Sequence, residues 1–148
     1  MILTRSAAET RKLGERLAAL LRPGDTVLLL GDLGAGKSEL ARGVARGLGI
    51  TGPVPSPSFT ILNAYDEGRF PLYHFDWYRI EDAAEIYEMG MDEQLGGDGV
   101  ALIEWSERAP ECLPARRLKI SLRPVDEETR EITLTPEGGF PFGEEALS

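Results

Sequence analysis

The stretch VLLLGDLGAGKSELARG, residues 27–43, joins four apolar residues to a glycine-rich turn and then to a helix-like pattern. The turn, Gly31-Asp32-Leu33-Gly34-Ala35-Gly36-Lys37-Ser38, fills every fixed position of G-x-x-x-x-G-K-[ST]. Glycines at this spacing let successive backbone N–H groups converge on an anion. The helix that follows points its positive N-terminal end at the same phosphates. In such a cradle the lysine reaches the β- and γ-phosphates and the hydroxyl ligates Mg²⁺. Gly34, Ala35, Gly36, Lys37 and Ser38 are therefore predicted to bind a nucleotide, with Lys37 also catalytic and Ser38 a metal ligand. The cradle alone does not say whether the phosphate passes to a substrate, goes to water, or is only held.

Outward from the cradle the chain reads as α/β. Residues 6–21 place Leu13, Leu17 and Leu20 or Leu21 on one helical face, and Ser6 with Glu9 has capping-box spacing. TVLLL, residues 26–30, is apolar throughout, as a strand covered on both faces would be. Three prolines in residues 50–59 (ITGPVPSPSF) exclude a helix there and imply an ordered loop. FTILNAY and FPLYHFDWYRI (residues 59–65 and 70–80) are expected to form a hairpin through DEGR. A short acidic helix followed by irregular chain over 81–97, a buried strand over 99–105 and a second hairpin from RRLKISLRP and TREITLTP complete the pattern. These elements predict a single P-loop domain over 1–136, with a mixed parallel and antiparallel central sheet flanked by helices. Residues 137–148 (EGGFPFGEEALS) show no periodicity and are expected to be mobile.

Composition narrows the function. The chain has 148 residues, 42% hydrophobic and 28% charged, the balance of a globular protein. No apolar run could span a bilayer, and the first residues carry charges where a signal peptide needs an apolar core, so a cytoplasmic location is expected. Cys112 is the one cysteine, with no partner for a disulfide or a metal site. Acids outnumber bases 25 to 16, for a net charge of −9, and no Lys or Arg run appears. Proteins that grip nucleic acid unaided display a basic surface. A protein partner is the better expectation.

P-loop enzymes place acids at the ends of strands beside the cradle to act on the metal or the attacking group. Two positions qualify. Glu104 ends the more uniformly apolar strand and is read as the metal acid. Asp76, after LYHF, is read as acting on the γ-phosphate side, on water or on the metal. His74 shares a strand face with Asp76; as the only histidine it is read first as a packed structural residue, with catalysis the alternative. Trp105 is a core or rim residue or part of a partner surface, together with Tyr78 and Arg79. SPSF, residues 56–59, offers Ser56 and Ser58 on a stiff loop that could sense the γ-phosphate as a switch; the plain alternative is a turn.

Taken together, Gly31 to Ser38, the SPSF loop, His74-Phe75-Asp76-Trp77-Tyr78-Arg79 and Ile103-Glu104-Trp105 resemble, in that order, the TsaE family of bacterial tRNA threonylcarbamoyladenosine biosynthesis ATPases. ET…LGERLA near the start and R-x-I-x-L from Arg130 to Leu134 extend the likeness over nearly the whole chain except the tail. Ser38 and Ser58 stand where the family usually has threonine, and Trp77 where leucine is common. Both serines keep the hydroxyl, and Ser58 loses a methyl. The resemblance implies an ATPase using ATP and Mg²⁺, with metal contacts at Ser38 and Glu104 and phosphate contacts at Gly34 through Ser38. It also implies that Ser6, Ala7 and Thr10 border the adenine. Its partners would be TsaD and TsaB, the pair that modifies adenosine 37 of tRNAs reading ANN codons, with tRNA touched only indirectly and no membrane involved. Two rivals remain: a small-molecule or nucleoside kinase, and a nucleotide-sensing module that does not hydrolyse. A kinase needs an acceptor pocket and usually an arginine-bearing lid, whereas residues 77–90 carry one Arg amid acids.

Overall fold

The computed structural model describes residues 1–32 and 34–147. Leu33 of the glycine turn and Ser148 of the tail lie outside the described residues. In chain order the elements are β1 (Ile2–Thr4), α1 (Ala7–Leu20), β2 (Thr26–Leu30), α2 (Lys37–Gly47), β3 (Leu62–Tyr65), β4 (Leu72–Asp76), α3 (Ala83–Glu88), β5 (Val100–Glu104), β6 (Arg117–Pro124) and β7 (Arg130–Glu137). The strands form one seven-stranded sheet in the order β1-β7-β6-β2-β5-β4-β3. Strands β6, β2, β5 and β4 run parallel, while β7, β1 and β3 add antiparallel edges. The predicted mixed sheet is the observed one. Among the described residues no helix is long and apolar enough to cross a membrane.

The sheet explains why the central strands read as unbroken apolar runs. Val27 and Leu29 of β2 enter the core beneath α1 and α2, together with Val100 and Leu102 of β5. Leu28, Ala101 and Ile103 enter a second core with Phe75, Trp77 and Ile86 on the other face. Each strand is therefore buried on both sides, and alternation assigns each residue to a face. By the same parity, His74, Asp76 and Glu104 fall on the α1–α2 face.

Helix α1 begins at Ser6, whose Oγ accepts the N–H of Glu9 at 3.1 Å, as the capping spacing predicts. Glu9 Oε1 in turn accepts from the Arg5 N–H. Helices α1 and α2 lie side by side in the same direction, at a contact made possible by glycine. A Cβ on Gly43 would stand 2.0 Å from the Arg11 carbonyl oxygen, and one on Gly14 2.4 Å from that of Leu40. Alanine normally favours a helix interior over glycine by about 1 kcal/mol. Here the clash is with backbone and outweighs it. Gly43→Ala is expected to cost about 2–3 kcal/mol and lower Tm by roughly 5–10 °C, measured by calorimetry; an unchanged or higher Tm would show that the helices separate freely.

Three features differ from the expectations. Strand β1 is too short to announce itself, and it forms because Ile2 and Thr4 pair with Ile132 and Arg130 of β7. The first hairpin is shorter than expected: β3 starts only at Leu62 and β4 ends at Asp76, where the chain turns and Ile80 N–H bonds to Trp77 carbonyl. The tail expected to be mobile instead packs. Phe140 and Leu147 are buried in the α1–α2 core, Phe142 stacks edge-on to Phe140 at 5.0 Å, and the N-terminal ammonium pairs with Glu144. Isolated aromatics anchor a segment without any periodic pattern, so a search for periodicity passes over them.

Candidate functional site

The glycine turn lies between the end of β2 and the first turn of α2. Gly34 and Gly36 take left-handed backbone angles, with φ of 83° and 104°. Those values are strained for residues with a Cβ and are what the turn requires. Lys37 and Ser38 open α2, so the free N–H groups of its first turn face the cradle.

A cavity of about 240 Å³ stands over this helix end, lined by Gly34, Gly36, Lys37, Ser38, Ser56, Ser58, Asp76, Glu104 and Trp105. The two strand-end acids, the SPSF hydroxyls and the cradle, up to 70 residues apart in sequence, are thus brought together. Asp76 and Glu104 are in register on neighbouring parallel strands, and Leu29 of β2 pairs with Glu104 on its other side. Glu104 Oε1 lies 3.7 Å from Lys37 Nζ, and Glu104 Oε2 lies 2.8 Å from His74 Nε2. Asp76 Oδ1 accepts the Tyr78 N–H at 2.9 Å. Both carboxylates are 6% exposed. Among the described residues Lys37 is the only cation lining this cavity, which it shares with two acids.

The SPSF loop is tied to the acid strand. Ser56 and Ser58 hydroxyls bond to one another at 2.8 Å. Ile61 closes the loop with φ of 68°, a strained angle for a β-branched residue; its N–H donates to Pro57 carbonyl, and its carbonyl accepts the Asp76 N–H. Among the described residues Trp105, directly after Glu104, is the other non-glycine residue with positive φ, at 59°. Strained non-glycine backbone thus flanks the cavity twice, a pattern associated with functional sites. The Trp105 ring meets the Tyr78 ring edge-on at 4.8 Å, and Lys37 Nζ stands 5.2 Å from its centre. Beyond them Arg79 lies over the exposed Phe59 ring and Arg108 over the Tyr78 ring.

Ser6, Ala7 and Thr10 do not line this cavity. They sit at the start of α1, at the same end of the helix pair as the cradle. The Ser6 hydroxyl is spent on the helix cap, and the buried Thr10 hydroxyl bonds to that of Thr4 at 2.7 Å. A larger, shallower groove of about 630 Å³ runs between α1 and α2. It is lined by ions that pair with one another, Arg11 with Glu39 and Glu39 with Arg42, and by none of the predicted residues.

One residue at the cradle went unassigned in the sequence. Arg130 Nη2 donates to the Gly34 carbonyl at 3.1 Å while Nη1 holds the Asp126 and Thr129 carbonyls. Its Nε and Cγ stand 3.6 and 3.7 Å from where a Gly36 Cβ would be. Arg130 thereby braces the glycine turn against the β6–β7 hairpin. The R-x-I-x-L pattern marks its position; nothing local marks its reach to Gly34.

A glycine turn with Lys and Ser at a helix start, set beside a parallel strand that ends in an acid, defines a P-loop fold. Comparison with known proteins makes the assignment specific. Residues 4–132 match the family model for threonylcarbamoyl adenosine biosynthesis protein TsaE, and the chain belongs to that family. It is 47% identical over 130 residues to the tRNA threonylcarbamoyladenosine biosynthesis protein TsaE of Bacillus subtilis, covering 88% of this chain and 81% of the relative. The TsaE protein of Treponema pallidum is 42% identical over 132 residues, covering 89% and 97%. The crystal structure of Bacillus subtilis YdiB superposes with a TM-score of 0.80 at 43% identity, covering 93% of this chain and 84% of that one.

Proposed function

We propose that this chain binds ATP with Mg²⁺ in the cradle and hydrolyses it slowly, in support of the tRNA threonylcarbamoyladenosine biosynthesis for which its family is named. The convergence of Lys37, Ser58, Asp76 and Glu104 on one cavity of about 240 Å³ carries this reading. Two buried carboxylates beside a single lysine would repel a triphosphate held alone, so the site fits a nucleotide accompanied by a divalent cation. Among the described residues no three His, Cys, Asp or Glu cluster to hold a metal by themselves. That suits Mg²⁺, which takes one or two protein oxygens together with phosphates and water. Ser38 and Glu104 would hold it, and bound there it would offset charge on the phosphate oxygens.

In this scheme Lys37 leaves Glu104 for the β- and γ-phosphate oxygens, and the nest of backbone N–H groups from Gly34 to Ser38 holds the rest. Asp76 orients the attacking water, and Ser58 meets the γ-phosphate and reports its loss through Ile61. TsaB and TsaD are the proposed partners, docking near the SPSF loop, Tyr78, Arg79 and Trp105, in the cytoplasm. The acidic chain would reach tRNA only through them. Against a kinase, Arg79 is stacked on Phe59 rather than free to close over the phosphates.

ATP turnover by the purified chain, alone and with TsaB and TsaD, tests the proposal. Slow turnover alone, raised by the pair, is the expected result. Intact ATP binding with no phosphate released under either condition would favour the sensing module instead. Association with the pair is expected to differ between ATP, ADP and no nucleotide by calorimetry. Equal affinity in all three would remove the switch, because a ligand shifts only equilibria whose states it binds differently.

A further inference from the structure

The site holds the chain's only histidine, and the scheme above gives it no task. His74 is 2% exposed, with Nε2 at 2.8 Å from Glu104 Oε2. Its Nδ1 is also buried and has no hydrogen-bond partner among the described residues. A carboxylate only accepts, so this contact requires a hydrogen on Nε2. The two residues sit on one sheet face, one diagonal step apart: His74 pairs with Leu102 and Asp76 with Glu104 across β4 and β5. An imidazole is long enough to bridge that diagonal.

Glu104 is therefore held at both oxygens, by Lys37 on Oε1 and by His74 on Oε2. The two donors differ in permanence. Lys37 is the group that phosphate would draw away, whereas His74 is locked in the sheet. We propose that His74 is a positioning residue: its Nε2–H fixes Glu104 through Oε2, so that Oε1 stays aimed into the cavity when Lys37 turns to phosphate. Packing alone would ask only for the ring's volume, and a volume requirement gives no reason to bury a ring nitrogen at hydrogen-bond distance from a carboxylate. The inference rests on the reading of Glu104 as the acid that meets the metal. Hydrogen-bond partners of a ligand typically carry a 10- to 100-fold share of metal affinity.

Two measurements test it. Because there is one histidine, a long-range ¹H–¹⁵N spectrum of the metal- and nucleotide-free protein at neutral pH reports this ring alone. Nε2 is expected to carry a hydrogen; an Nε2 without one overturns the proposal. The second uses His74→Gln, which puts an amide nitrogen near the Nε2 position, and His74→Asn, which puts it near Nδ1. Affinity for a non-hydrolysable ATP analogue is measured with and without Mg²⁺. His74→Gln is expected to keep the Mg²⁺-dependent gain within about 3-fold, and His74→Asn to lose about 10-fold of it, with metal-free affinity unchanged in both. Equal gains in the two variants overturn the proposal. Glu104→Gln in the same assay separates it from the reading beneath. If that variant keeps the gain, or the parent shows none, the metal role of Glu104 falls and this inference with it. If Glu104→Gln loses the gain and His74→Asn does not, only the role of His74 falls.

Discussion

Replacing Lys37 with alanine is expected to weaken ATP binding by about two orders of magnitude, the cost of truncating one member of a largely desolvated charge pair. The lysine side chain is 10% exposed and lines the cavity over the glycine turn, 3.7 Å from Glu104. Among the described residues it is the one cation lining that cavity, so no other lining side chain can take over its contact with phosphate oxygens. The backbone nest and helix end remain, so residual weak binding should survive. The fold should survive too, since Glu104 keeps His74 and borders a cavity open to water. Calorimetric titration with ATP, alongside circular dichroism, measures both. Equal affinity in variant and parent would remove the cradle assignment.

Glu104→Gln should give an opposite pair of effects. Turnover with Mg²⁺ is expected to fall about 10²- to 10³-fold, the usual range for losing one preorganised electrostatic group. Nucleotide binding without metal should instead tighten several-fold. The substitution removes a negative charge beside the phosphates and frees Lys37 from its present partner. A residue that merely supports the fold would lower both quantities together, in step with the unfolded fraction. Turnover kinetics and metal-free calorimetry on one preparation tell the cases apart. Losing both in proportion would return Glu104 to a structural role.

Much of this site is legible residue by residue. Glycine spacing with Lys37 and Ser38 encodes the cradle because the required backbone angles and the anion-binding groups are local. Ser6 and Glu9 encode the start of α1 for the same reason. Apolar runs ending in Asp76 and Glu104 mark acids at strand ends, and strand parity puts His74 on their face. Arg130 is harder. Its bond to the Gly34 carbonyl spans 96 residues, and an arginine at a strand start looks the same whether or not it reaches a glycine turn.

The sequence by itself thus determined the glycine turn, the succession of strands and helices, and the residue types proposed to hold phosphate and metal. Tertiary structure decided which of them meet. Strand order inserts β5 between β2 and β4, and only that order sets Glu104 beside both Lys37 and Asp76. The same order gives Glu104 its second donor in His74. The docking of Phe140 and Leu147 was likewise decided by the shape of the core they fill. The division has a physical cause. Helix periods, caps and glycine turns arise from interactions between near neighbours in the chain, whereas strand order and side-chain pairing depend on how the whole molecule buries its apolar surface at once.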